Sequence, residues 1–214
     1  MHKETKRIIF QVALFIVTFI TTTLAGSEWS HGRSVYAEDY GWKDFVSGLE
    51  FSIPLLTILT VHEFGHYFMA LYHKIKVSLP YYIPIPPIPF SIGTMGAVIR
   101  LRERPESNLK HFDIGLAGPL AGFIAALLIL FYGFSTLPPP EHIYTFHPEY
   151  KEYGLNYADH VYTKEYMEAH KPTLDITIGN NLLFWIFEKL AADPARVPNP
   201  HEDMHYPILF AVYI

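Results

Sequence analysis

His62, Glu63 and His66 stand in the order His-Glu-Phe-Gly-His, and that spacing suits a particular chemistry. Positions four apart share one face of an α-helix, so both imidazoles can bind a single zinc ion while Glu63 points at a water on that ion. The metal lowers the pKa of the water toward neutrality, Glu63 takes the proton, and a polarised peptide carbonyl is attacked. Chance places such a pattern somewhere in a chain this rich in histidine with an expectation of only about a few hundredths. A charged group at membrane depth costs roughly 2–3 kcal/mol, so polar residues in an apolar stretch read as functional. A catalytic zinc takes three protein ligands and keeps one position open. The helix supplies two, and no Glu or His follows His66 at the spacing soluble enzymes of this pattern use. His73, Asp113 and Asp175 are weaker candidates for the third.

The elements that must position this pentapeptide are long and apolar. Ile8 to Gly26 carries no charge and follows Lys3, Lys6 and Arg7, enough for a membrane-spanning helix at about 8–26. A second apolar segment runs over 45–73 and holds the pentapeptide, with Pro54 expected to kink it or free a backbone group. A third, over 112–137, contains Gly118-Pro119-Leu120-Ala121-Gly122, a small-residue face suited to close helix packing, and stops at Pro138-Pro139-Pro140. Between the second and third lies 79–100, apolar yet too rich in proline for a helix. Non-helical backbone at membrane depth must be covered by protein or line a cavity, which predicts extended strands or a hairpin beside the second helix. Basic residues collect at the N-terminus, at Lys74 and Lys76, and over 100–110, placing the N-terminus in the cytoplasm and His62 to His66 near the cytoplasmic side. Residues 138–205 read as a polar extracytoplasmic insertion with an amphipathic interfacial helix at about 178–192 around Trp185. Six histidines there (His142, His147, His160, His170, His201 and His205) lack helical spacing and read as surface residues. From Tyr206 the chain turns apolar again, which we read as the start of a fourth transmembrane helix cut short at 214, with the third ligand expected beyond Ile214.

Composition narrows the classes. Half of the 214 residues are apolar and the formal net charge is −5, with no basic patch, so nucleic acid is not an expected partner. With no cysteine, any metal must be held by His, Asp or Glu, and thiol catalysis is excluded. The expected fold is an α-helical polytopic membrane protein: a core over 1–137 with three complete transmembrane helices, a membrane-embedded β or extended segment between helices 2 and 3, and the start of a fourth helix at 206–214.

The pentapeptide, Gly93-Thr94-Met95-Gly96-Ala97, and Phe112-Asp113-Ile114-Gly115-Leu116-Ala117-Gly118-Pro119-Leu120-Ala121-Gly122 occur in the order seen in site-2 proteases. Over residues 45 to 137 the chain resembles that family of intramembrane zinc metalloproteases. The resemblance implies that His62 and His66 bind one Zn2+, that Glu63 is the catalytic glutamate, and that Gly93, Thr94, Met95 and Gly96 belong to a β segment that pairs with an unwound substrate. In the family the third ligand is the Asp of a Leu-Asp-Gly motif on a later helix; here the nearest string is Leu174-Asp175-Ile176. The implied activity is hydrolysis within the transmembrane segment of a protein partner in the bilayer. Two alternatives stand beside it: an inactive relative that holds membrane clients, and a secreted zinc protease with residues 1–26 as signal peptide. The residues say nothing of oligomeric state.

Overall fold

The computed structural model describes residues 3–88, 91–169, 181–197 and 205–214. Asp175, His170 and His201 lie outside them.

Three helices among the described residues are long and apolar enough to cross a membrane. The first, α1 (Lys3–His31), begins before and ends after the uncharged run, because the polar Thr22, Thr23, Ser27 and Ser30 on it are buried rather than left to a loop. Its other side exposes Ile8, Ile9, Val12 and Ile16. The second span is divided into α2 (Trp42–Ser47) and α3 (Leu49–Tyr72), which meet at Gly48. α1 crosses closely at this junction: a Cβ on Gly26 would lie 2.6 Å from the Gly48 carbonyl oxygen, and one on Gly48 would collide with the Thr23 carbonyl. Thr23 Oγ1 and Ser52 Oγ, 2.9 Å apart, close the same crossing with a hydrogen bond. Pro54 lies within α3 without interrupting it, removing only one helical N–H near the N-terminus.

Helix α4 (Asn108–Ser135) starts four residues earlier than its apolar run, since Ser107 caps it by accepting from the Lys110 amide at 3.3 Å. It packs antiparallel along α3. Leu116, Leu120, Ile124 and Leu128 remain exposed on the far side, as a lipid-facing surface requires.

The proline-rich connection forms an antiparallel pair, β1 (Tyr81–Pro84) and β2 (Thr94–Val98), with Tyr81 opposite Val98 and Tyr82 opposite Ala97. A bulge between Tyr82 and Pro84 shifts the register, and Thr94 Oγ1 stitches it by donating to the Ile83 carbonyl at 3.0 Å. β1 lies against α1, while the outer edge of β2 has no strand partner among the described residues.

The insertion is helical in short pieces. Two 3-10 segments (Pro140–Thr145 and Pro148–Asn156) precede α5 (Ala158–Val161) and α6 (Lys164–Ala169), around a core of Ile143, Tyr150, Tyr157 and Val161. The amphipathic helix α7 (Leu182–Ala191) is capped by Asn181, which accepts from the Phe184 amide at 3.0 Å. It packs on the end of α4 through Phe134 and Phe184 and leaves Leu182, Leu183, Trp185 and Leu190 exposed. The last helix, α8 (Pro207–Tyr213), has seven residues. Leu209 on it packs against Leu130 and Phe134 of α4, and Phe210 against Phe51 of α3.

The insertion histidines correct the surface reading. His160 is exposed, but His142, His147 and His205 are half-buried around Phe146. Flat imidazoles stack on aromatic rings as readily as they face water, and a sequence without periodicity does not show which they do.

Candidate metal centre

The pentapeptide lies within α3, and the helical spacing does to the imidazoles what it predicts. The Nε2 atoms of His62 and His66 face each other at 3.1 Å, with the rings edge to face. Two nitrogens bound tetrahedrally to one zinc at about 2.0–2.1 Å would stand roughly 3.3 Å apart, so the pair is already nearly in ligand geometry. The Nδ1 of His66 bonds the Ile114 carbonyl of α4 at 2.6 Å. A carbonyl only accepts, so the Nδ1 carries the proton and the Nε2 is left with a lone pair for a metal. The donor set therefore fits zinc with two of the three ligands a catalytic site needs. Among the described residues no group of three His, Asp or Glu side chains could hold a metal ion.

The other candidates for the third ligand are accounted for differently. His73 and Asp113 pair with each other, Nε2 to Oδ2 at 2.9 Å, at the end of α3 and the start of α4. Each thus has a partner away from the His62–His66 pair.

Glycines on α4 make room for the imidazoles. A Cβ on Gly118 would fall on the His66 ring, and one on Gly122 would lie 3.0 Å from the His62 Cβ and 3.2 Å from its Nδ1. Gly65 reciprocates, since a Cβ there would stand 2.5 Å from the Ala117 carbonyl oxygen. The small-residue face expected to serve helix packing thus has a more specific task. The signal for it lay in the matched spacing: histidines four apart on one helix, glycines four apart on its antiparallel neighbour.

Glu63 is 5% exposed, with the Ile99 backbone amide beside its carboxylate at the end of β2. Next to it opens a cleft of about 520 Å³ lined by His62, Glu63, Gly96, Ala97, Gly122 and Phe123, among others. The four residues expected at the substrate divide by place. Gly96, in a left-handed conformation (φ 99°), lines the cleft, and Met95 is exposed. Thr94 is buried within the hairpin, and Gly93 (φ 81°) is pressed against α1, where a Cβ would collide with Thr21 and Thr22. Ile114, Gly118 and Gly122 were not singled out by the sequence as parts of the site.

Three helices long and apolar enough to cross a membrane mark an integral membrane protein. The description "Peptidase family M50" matches residues 50–203, and the chain belongs to that family, in line with its resemblance to site-2 proteases. It is 38% identical over 76 residues to the probable zinc metalloprotease EGY1, chloroplastic, of Oryza sativa subsp. japonica, covering 36% of this chain and 12% of that protein. With the probable zinc metalloprotease EGY2, chloroplastic, of Oryza sativa subsp. indica it shares 33% identity over 99 residues, 46% of this chain and 17% of the relative. The matched regions thus span 12% to 17% of the length of these relatives. No solved structure matches.

Proposed function

We propose that this protein is a zinc-dependent intramembrane endopeptidase that hydrolyses a peptide bond in or near the transmembrane segment of another protein. The observation that carries the reading is the convergence of the His62 and His66 Nε2 atoms beside a buried Glu63, at the wall of a cleft that β2 also lines. His62 and His66 would hold one zinc ion. When bound there, zinc polarises a scissile carbonyl and acidifies a water. Glu63 accepts the proton of the attacking water and delivers it to the leaving amine nitrogen. Its burial beside the Ile99 amide keeps the carboxylate in one place for both transfers.

The hairpin supplies the second half of the reading. A transmembrane helix has no free backbone groups, so it must unwind to be cut. The outer edge of β2, without a strand partner among the described residues, offers replacement hydrogen bonds, with Gly96 and Ala97 bringing that edge to the cleft beside Glu63. Gly96, with Met95 beside it, would meet the substrate, while Gly93 and Thr94 hold the strand in shape. We place the hairpin at membrane depth, the N-terminus in the cytoplasm, His62 to His66 near the cytoplasmic side, and residues 138–205 on the opposite side. Charge distribution supports that orientation.

The test compares the full-length protein with its Glu63→Gln variant on a model transmembrane substrate, with the zinc content of both measured. We expect cleavage only by the parent protein and equal zinc in the two. Equal cleavage by both would remove the role assigned to Glu63, and a parent protein that binds no zinc would remove the reading.

A further inference from the structure

Helix α1 reads in the sequence as a plain membrane anchor, yet its polar side chains reach across to one feature. Gln11 Nε2 donates to the Leu79 carbonyl at 2.7 Å, just before β1. Thr21 Oγ1 donates to the Gly93 carbonyl at 2.6 Å, just before β2, and Trp29 Nε1 to the Ser91 carbonyl at 2.9 Å. Phe15 packs edge-on against Tyr82 in β1, with ring centroids 4.9 Å apart. Tyr82 in turn shares a 2.8 Å hydrogen bond with Thr60, three residues before Glu63 on α3.

All three acceptors on the hairpin side are backbone carbonyls; that of Gly93 also accepts from the Ile85 amide at 3.1 Å, and that of Leu79 from the Ser78 hydroxyl at 2.9 Å. A carbonyl has two lone pairs, and α1 supplies a donor to each of the three from side chains because its own backbone amides are spent within the helix. The contacts recur along about two-thirds of the length of α1 and bracket the hairpin before β1 and before β2. They lie on the β1 side, and the outer edge of β2 has no strand partner among the described residues.

We propose that Gln11, Thr21 and Trp29 are positioning residues that fix the depth and tilt of the hairpin relative to Glu63, so that α1 determines where along an unwound substrate the bond is cut. The inference rests on the endopeptidase reading above for its link to cleavage, but not for the tether itself. Thr21 is the central tether. Its single hydroxyl proton is shared with the Thr18 carbonyl of its own helix at 3.1 Å, a bond that is not part of the backbone ladder of α1. Gly93 has no room to shift toward α1 in compensation, since it already abuts Thr21 and Thr22.

Thr21→Val keeps the shape and loses the donor, while Thr21→Ser keeps the donor; Gln11→Leu and Trp29→Phe remove the other two tethers. In the full-length protein reconstituted in bilayers, amide hydrogen exchange over residues 91–98 should rise in Thr21→Val, and more so in the triple variant, while zinc content stays at the parent level. The KM for a transmembrane substrate should rise by about three- to tenfold, the range one lost hydrogen bond spans, with kcat changed by less than about twofold. The cut site should also spread to neighbouring bonds. Thr21→Ser should restore all three readouts. Unchanged exchange over 91–98 in the triple variant overturns the tether, and so does a Thr21→Ser variant that behaves like Thr21→Val. Raised exchange with KM and cut site unchanged overturns the positioning role. A parent protein without protease activity whose exchange still responds would instead sink the endopeptidase reading and leave the tether standing.

Discussion

Two groups of histidines stand in this fold, and they differ in what their rings face. His62 and His66 present nitrogens to each other at 3.1 Å, and one of them is locked by a backbone carbonyl. The histidines of the other group present ring faces. Phe146 has His205 stacked on it at 4.5 Å, His31 stacked at 5.1 Å and His142 edge-on at 5.1 Å, while His147 lies flat against Tyr150 at 4.4 Å. Among the described residues the larger group forms no set of three side chains that could hold a metal ion. Helical i, i+4 spacing aims lone pairs at one point, and a set of loops does not.

The strongest way to break the contrast is at the pair itself. Glu63→Gln should lower cleavage by about 10²- to 10⁴-fold, the range a general base supplies, without lowering zinc content. His66→Ala should lower both. By contrast, His142→Ala should leave zinc content unchanged, and a fall there would mean that the aromatic group binds metal after all. Mass spectrometry of the intact protein for bound zinc, beside a cleavage assay, reads all of these.

The glycines on α4 give a graded test of the same geometry. Alanine favours a helix over glycine by about 1 kcal/mol, so substitution gains stability unless the new methyl group meets something. At Gly118 it meets the His66 ring, and we expect loss of zinc and at least about 10²-fold of activity, as for a displaced catalytic group. Gly122→Ala, with contacts of 3.0 and 3.2 Å to His62, should cost less. Gly115 has nothing within 4 Å, and Gly115→Ala should leave cleavage and zinc unchanged. Any other order of the three would show that the glycines serve helix packing alone.

That order also shows what was legible in the sequence. The three spans, the proline-rich extended segment and the facing of His62 and His66 follow from apolar length, proline chemistry and helical periodicity, and each is found near its expected place. The ends of the spans were less legible because polar residues decide them: Ser107 caps α4 and buried threonines and serines extend α1. The role of Gly118 and Gly122 required knowing that α4 lies antiparallel on α3 in that register, information held by tertiary packing. The polar ladder of Gln11, Thr21 and Trp29 was hidden for a different reason. Averaging hydropathy along α1 erases the few polar positions that face the hairpin.

Acid should separate the two groups further. Burial, with repulsion from His147, His142 and His31, pushes the His205 imidazole down to about 4 from an ordinary 6.5. Burial likewise lowers His142, against the opposing charge of Glu50. A folded-state pKa below the unfolded value means that the unfolded chain binds the proton more readily. The stabilisation is therefore complete above about pH 6.5 and is lost as pH falls toward 4, by at most about 1.4 kcal/mol per pH unit for each such group. The melting temperature of the protein in detergent should fall over that window, and less so for His205→Phe. A His205→Phe variant with the parent slope would place the acid sensitivity elsewhere.

The smallest expected effect decides a question of identity. His73 and Asp113 stand 2.9 Å apart, with 15% and 33% of their side chains exposed, at the junction just before Ile114, the residue whose carbonyl holds His66. If Asp113 were a zinc ligand, Asp113→Asn would weaken zinc binding sharply, because a neutral amide is a poor ligand beside two imidazoles. If it serves only to join α3 to α4, the amide keeps a hydrogen bond to His73, and a partly exposed pair of this kind contributes about 1 kcal/mol or less. We expect unchanged zinc content, a slightly lower melting temperature and near-parent cleavage. The pair would then be a brace for the carbonyl behind His66, and the metal site would owe its geometry to helix packing rather than to a third acid from α4.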